Sequence, residues 1–551
     1  MREHHRGTIV SGLVEPRSFA KVVLGVGALL RLWQYAAGKS LWLDEIAIAL
    51  NIIPRPLGQL LTQPLGLEQV APKGFLAFEK VATLAFGPND YALRLYALLC
   101  GLAALVLFWR LAARVLQGRG ALIALGLFAI APPLIRYSAE AKQYGGDTAA
   151  TIALMLLAVR LMDEEPSVRR CVLSGLTGAA LAVFSQASVI AMAGLGAVLV
   201  ARWAVRRDPQ SAMPALWTVP IWAATSLASL AATGLSMSPS TREFMQWFWR
   251  RGFPPVPFHL QATLGWLVAR IQLLFSFEQL LHYPLPALYA LAMTFGLAAL
   301  WHRRSPFIAL ATYAPLLVLI AAALTRQYPL EGRLVLFVVP VLLLGVAATV
   351  EALADFAARR GHALGWVLIA AALAPPVYAL VRTPPPYDIE SHKPVFAYLG
   401  AHRLPADPVY VFRSAGLAAS YYGPDNHLGP SEYVLGICDR ENARAYLEDV
   451  DRFRGLSRLW VVTSAVPPLR PPQRNLARYL QTIGTRREGL AVPSIIFGPS
   501  TVDLSDLSDP ARLRAASAAT FPVEPMLPNF PPGCRGPGGD TRQDGAKGRA
   551  R

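Results

Sequence analysis

Hydrophobic positions in this chain come in long unbroken runs, unlike the alternation of a half-buried strand or the one-sided stripe of a soluble helix. Runs lie at roughly 19–37, 92–115, 120–136, 147–162, 171–185, 187–203, 214–233, 284–301, 306–324, 333–350 and 363–381. A helix needs about 20 apolar residues to cross the hydrocarbon core, so the pattern predicts about eleven spans. Backbone polar groups cannot face lipid unpaired, so each span must be helical. Three connections on one side break the rule of short loops, namely 38–91, 234–283 and 325–332. The first mixes Trp42, Asp44, Glu45, Glu68, Lys73, Glu79 and Lys80 with apolar residues, which predicts helices lying along the membrane surface. The second carries Arg242, Glu243, Trp247, Trp249, Arg250 and Arg251, the composition of an interface anchor or of a substrate contact.

After about residue 382 the pattern changes. Pro384, Pro385 and Pro386 form a stiff linker, and the apolar runs shorten. Asp407–Phe412 and Arg458–Thr463 read as short buried strands, with helical stretches at 391–402 and 440–450. The expected organisation is therefore a multi-pass unit over 1–381, a small α/β domain over 387–532 and a disordered Gly/Arg/Lys-rich tail over 533–551.

Composition agrees with a membrane chain. Only 16% of residues are charged, against about 25% in an ordinary soluble domain, and 54% are hydrophobic. The net charge of +17, from 52 Lys+Arg and 35 Asp+Glu, first suggests nucleic acid. The cations sit instead in short clusters between apolar runs: Arg2, Arg6 and Arg17, then Arg114 and Arg119, Arg169 and Arg170, Arg202, Arg206 and Arg207, Arg303 and Arg304, Arg359 and Arg360. Every second loop is basic, which fits anionic lipid headgroups and a cytoplasmic N-terminus and leaves no stripe for nucleic acid. An odd number of spans then puts the C-terminal domain outside the cytoplasm. The N-terminal basic residues and apolar run read as an uncleaved first span, with no A-x-A-like site after it. Four Cys are too few for a disulfide scaffold and show no zinc spacing, although Cys438 and Cys534 could pair in an extracytoplasmic domain.

Candidate chemistry gathers at the outer mouths of the spans. In Lys39-Ser-Leu-Trp-Leu-Asp-Glu-Ile46, two adjacent carboxylates stand among apolar residues at a membrane boundary, where desolvation is costly. A helix cap accounts for one acid; a general base held at the boundary accounts for the setting. Arg136-Tyr-Ser-Ala-Glu-Ala-Lys-Gln-Tyr144 brings an acid and cations together whether helical, with Arg136, Glu140 and Tyr144 on one face, or extended, with Glu140, Lys142 and Tyr144. A structural ion pair is the plainer reading. Arg326 and Arg333 lie in a short outer turn that should be poor in cations, and so suit an anionic partner such as a phosphate, with snorkelling to headgroups as the rival.

These segments resemble the polyprenol-phosphate-sugar-dependent glycosyltransferases of the GT-C superfamily, especially the protein O-mannosyltransferase and aminoarabinose (lipid A) transferase group, family 39. The resemblance rests on Ser40-Leu-Trp-Leu-Asp-Glu45, Tyr137-Ser-Ala-Glu-Ala-Lys-Gln-Tyr144 and Gly332-Arg-Leu-Val-Leu-Phe337, and covers roughly residues 20–350. It implies a GT-C type multi-pass membrane all-α bundle with outer surface helices and a small extracytoplasmic α/β domain, in the bacterial inner (plasma) membrane. It further implies an enzyme that moves a sugar from a polyprenyl-phosphate donor to an acceptor hydroxyl on a glycan, lipid or protein. Asp44 matches the family's catalytic acid, with Glu45 beside it; Lys142 and Arg333 resemble its phosphate contacts, and Glu140, Tyr144 and Arg326 complete the expected set. Val70-Ala-Pro-Lys73 stands where family members often carry a His-Pro-Pro-type segment, and Lys142 stands where Arg is common. The acidic outer loops are compatible with a divalent cation, yet no ligand spacing demands one. The alternative class is a transporter or flippase of a lipid-linked sugar, against which the charges cluster on one side and no pair of broken spans marks a midplane site.

Overall fold

The computed structural model describes residues 16–525 except 277–279, 440–441, 466–468 and 496. A helix stands at each of the eleven apolar runs. Among the described residues, seven helices are long and apolar enough to cross a membrane: Asp90–Val115, Tyr144–Asp163, Ser188–Arg206, Pro209–Gly234, Pro306–Leu324, Gly332–Ala358 and His362–Arg382. Gly120–Ile130 and Pro132–Ala139, bent by 57°, make an eighth when taken as one span. The other three runs form the helices Pro16–Ala36, Val168–Phe184 and Pro286–Arg303. Their apolar stretches are interrupted or short: Lys21 and Arg31 in the first, 17 residues in the second, and His302 with Arg303 closing the third.

The bend between Ile130 and Pro132 has a direct cause. Pro132 and Pro133 lack N–H groups, so the carbonyls of Phe128 and Ala129 lose their helical donors. The guanidinium of Arg31, almost wholly buried, supplies the replacement, with Nη1 donating to Ala129 O at 3.1 Å and Nη2 to Phe128 O at 3.4 Å. Such re-satisfaction of freed carbonyls is what an apolar surrounding requires. At the centre of the bundle, Gly332–Ala358 is enclosed nearly throughout. It packs closest on Pro286–Arg303, where a Cβ on Gly296 would overlap the carbonyl of Gly345.

The long loops carry short helices. Leu43–Ile52, Leu57–Thr62 and Lys73–Phe86 fill the first, and Pro239–Phe248 with Leu260–Leu273 fill the second.

The C-terminal part is built on a five-stranded sheet in the order β2-β1-β3-β5-β4, with β1 Val409–Val411, β2 Val434–Leu435, β3 Leu459–Ser464, β4 Thr485–Val492 and β5 Ser500–Asp506. β1 runs parallel to β2 and β3, while β5 is antiparallel to β3 and β4. Side chains alternate between faces. One face places Val409, Val411, Trp460, Val462, Val502 and Leu504 in a core that continues into Leu41, Ile46, Ile48 and Phe75 of the first loop. The opposite face packs Tyr410, Phe412 and Val461 on Tyr446, Leu476 and Tyr479. The sheet unit and the first loop therefore share one apolar core. Cys438 is disulfide-bonded and Cys100 and Cys171 are free, whereas Cys534 and the tail 533–551 lie outside the described residues.

Candidate functional site

The turn Gly38–Trp42 delivers two neighbouring acids at the head of the Leu43–Ile52 helix. Successive helical residues point about 100° apart, so the pair divides. Glu45 turns inward and accepts four hydrogen bonds: from Arg94 Nε at 2.8 Å and Nη2 at 2.7 Å, from Ala141 N at 2.7 Å and from Trp42 N at 3.2 Å. The last of these caps the helix, so the capping role falls to Glu45 and leaves Asp44 free for another partner. Through Ala141, Glu45 also ties the first loop to the 136–144 segment. Arg94 carried no sequence signal, because a single cation inside an apolar run reads as part of a span.

Asp44 turns outward onto Arg333, whose Nη2 donates to its Oδ2; each side chain is 18% exposed. Arg333 Nε donates to Tyr144 Oη at 3.0 Å. Its guanidinium lies 5.0 Å from the Trp42 ring and 5.2 Å from that of Trp249, and Tyr144 stacks edge-on against Tyr137. Gly332, at φ +55° with its Cα facing Trp249, lets the chain turn so that Arg333 points back into the cluster. Lys142 is buried nearby and donates through Nζ to Gln69 Oε1. Burial alone would raise the Asp44 carboxyl, but the charges of Arg333 and Lys142, with the Arg333 hydrogen bond, outweigh it and hold the group below the ordinary carboxylate range. Burial lowers the Lys142 ammonium, and Asp44 opposes that shift.

Glu140 is buried and pairs with Arg136 at 3.3 Å, the i,i+4 arrangement of the helical reading, although the segment there is a short 3-10 turn that ends in extended backbone. Burial raises its carboxyl, and Arg136 only partly opposes this. Four buried polar atoms here have no hydrogen-bond partner: Trp42 Nε1, Arg136 Nε, Glu140 Oε1 and Gln143 Oε1. Buried polar groups are normally satisfied, so unpaired donors and acceptors on the segments that carry the cluster fit a polar ligand.

Asp44, Lys142, Tyr144 and Arg333 are thus brought together, with Glu45 and Glu140 behind them. Arg326 is not. It is exposed, at φ +59°, and its guanidinium lies 5.1 Å from the Phe253 ring and donates to Pro254 O at 3.2 Å. Trp249, from the segment read as an interface anchor or a substrate contact, joins the site, and so does Gln69, which had not been singled out. Among the described residues no group of three or more His, Cys, Asp or Glu is placed to hold a metal ion.

No family model matches the chain, and no curated protein matches it. Solved structures do resemble it in part. The archaeal oligosaccharyltransferase AglB from Archaeoglobus fulgidus, in complex with an inhibitory peptide and a dolichol-phosphate, is similar at a TM-score of 0.49 and 12% identity, over 88% of this chain and 74% of that one. ArnT from Cupriavidus metallidurans bound to undecaprenyl phosphate is similar at 0.46 and 14%, over 88% of this chain and 97% of that one. The arabinosyltransferase EmbB from Mycobacterium smegmatis reaches 0.27 and 14%, over 70% and 43%. At these values no residue's role and no activity is carried over from them.

Proposed function

We propose that this chain is an integral membrane glycosyltransferase that moves a sugar from a polyprenyl-phosphate donor to an acceptor hydroxyl. The observation that carries the reading is the meeting of Asp44, Tyr144 and Arg333, from three segments far apart in sequence, at the ends of apolar helices. A lipid-anchored phosphate sugar needs a greasy support with cations and a base at its edge, and this cluster supplies both. In the proposed reaction the acceptor oxygen attacks the anomeric carbon while its proton passes to Asp44. The bond from that carbon to the phosphate oxygen breaks, and the electron pair leaves with the polyprenyl phosphate. Arg333 and Lys142 stabilise the charge that gathers on the leaving group. A single displacement assisted by one base inverts the anomeric centre. Glu45 and Glu140 act as positioning residues, through Arg94 and Arg136.

In the structure Asp44 itself occupies Arg333. An arriving phosphate would take its place, and the carboxylate, relieved of that partner, becomes a stronger base. The alternation of basic loops supports a cytoplasmic N-terminus and a site on the extracytoplasmic face of a bacterial plasma membrane, with residues 1–381 as the transferase unit and the 387–532 domain covering it. Purified protein in detergent, given a radiolabelled polyprenyl-phosphate sugar and cell extract as acceptor source, tests the reading. Transfer should occur with the wild type and vanish in a folded Asp44→Asn variant; transfer by that variant at the wild-type rate would overturn it.

A further inference from the structure

The turn that presents Asp44 is held from outside by the C-terminal unit. Its backbone amides are claimed one after another: Leu41 N donates to Tyr422 Oη at 2.6 Å, Trp42 N to Glu45, and Leu43 N to Glu390 Oε2 at 2.7 Å. Ser40 Oγ accepts from the amides of His392 and Lys393, each at 3.0 Å. Glu390 is 1% exposed, and its other oxygen accepts from Ser464 Oγ at 3.0 Å, while His392 Nε2 stands 3.3 Å from Oε2. Ser464 closes β3, so this carboxylate lies at the carboxyl ends of the parallel strands β1 and β3. That is the edge of a parallel sheet where ligands and functional loops usually gather. The Phe497 ring completes the contact against Trp42, centroid to centroid 6.0 Å.

We infer that Glu390 is a positioning residue of the transfer site: it fixes the Leu43 amide and thereby the direction of the Asp44 carboxylate. This rests on the reading of Asp44 as the base. A buried carboxylate placed among an amide, a hydroxyl and an imidazole is a costly group to keep for packing alone. Its direct partner is the backbone adjoining the reactive acid, and displacing such an acid by about 1 Å is enough to cost up to about a hundredfold in rate.

The test uses the full chain in detergent with the radiolabelled donor. Glu390→Ala should lower kcat about tenfold or more and leave the donor KM within about twofold, because Arg333 and Lys142 are untouched. Glu390→Gln keeps an oxygen for the Leu43 amide and should restore at least about a third of the wild-type kcat. Wild-type kcat in the Ala variant, or equal loss in the Gln and Ala variants, overturns the inference. Should the Ala variant not fold, Tyr422→Phe keeps the ring and removes the acceptor of the Leu41 amide. It should lose kcat by about threefold or more at constant donor KM, and full kcat there counts against the clamp. Asp44→Asn in the same preparation separates the two readings: if that variant retains transfer, the base assignment fails whatever Glu390 does.

Discussion

Replacing Asp44 by Asn should abolish transfer and at the same time tighten the binding of polyprenyl phosphate. Asp44 is the anion that Arg333 holds in the structure, so on the proposed reading it competes with an incoming phosphate for the same guanidinium. A hydrogen bond to a charged group contributes about 1.5–3 kcal/mol. Both side chains here are 18% exposed, and Arg333 keeps its Tyr144 bond and its two Trp faces after the change, so the lower end applies. Loss of the competitor should then gain about 1.5 kcal/mol, or roughly tenfold in Kd. Trp42 and Trp249 flank the guanidinium, which makes tryptophan fluorescence a direct readout of titration with the lipid phosphate. Asp44→Glu keeps the charge and should bind nearly as the wild type does. The sign with pH follows: the Asp44 carboxyl lies below its ordinary range, so it competes throughout neutral pH. Wild-type affinity should approach that of the Asn variant only as pH falls through that lowered value. Equal or weaker binding by Asp44→Asn would refute the competition and the phosphate role of Arg333 with it.

Other outcomes follow from single contacts. Arg333→Ala should weaken binding of the same lipid phosphate by about tenfold or more while the protein stays folded, and unchanged binding removes Arg333 from the site. Glu45→Gln breaks a buried pair and leaves Arg94 under-compensated, a loss of about 3–5 kcal/mol that should appear as a lower melting temperature in detergent. Arg31→Leu strips the donors from the Phe128 and Ala129 carbonyls and should cost about 1–3 kcal/mol, read in the same assay. Asp407 accepts from Arg458, Trp460 Nε1 and Leu404 N, which together outweigh its burial and lower its carboxyl. Its stabilisation is therefore complete above the unfolded value of about 3.9 and is lost as pH falls through the lower folded value. Asp407→Asn should flatten that acid limb of the melting curve.

The membrane part was legible because long apolar runs admit one backbone solution, and a helix stands at each. The three runs that fall short by length or apolarity hold Lys21 and Arg31, only 17 residues, or a basic end, all visible beforehand without their meaning. The role of Arg31 emerges only when its helix meets the pair Pro132 and Pro133, far along the chain. The strands around Val409–Val411 and Leu459–Ser464 were read correctly from short β-branched and aromatic stretches, whereas β4, with Arg486, Arg487 and Glu488, offered no such pattern. At the site, the acid and the arginine were legible as types out of place, but their pairing spans 289 positions. Gln69 follows two residues at φ +58°, a turn that nothing in its composition announced. Arg326 was legible as a cation out of place in a short outer turn, whereas its contact with Phe253 from the 234–283 loop was not.

The anchoring of the 38–45 turn also bears on how the protein is made. Its amides wait for Glu390 and Tyr422, 347 and 381 positions downstream. A nascent chain emerging from the ribosome thus makes this turn early, yet cannot finish it until the segment carrying Glu390 and Tyr422 has been synthesised and folded. Products that stop before Glu390 and Tyr422 lack both partners of the Leu41 and Leu43 amides, so on the proposed reading their Asp44 is not set for transfer.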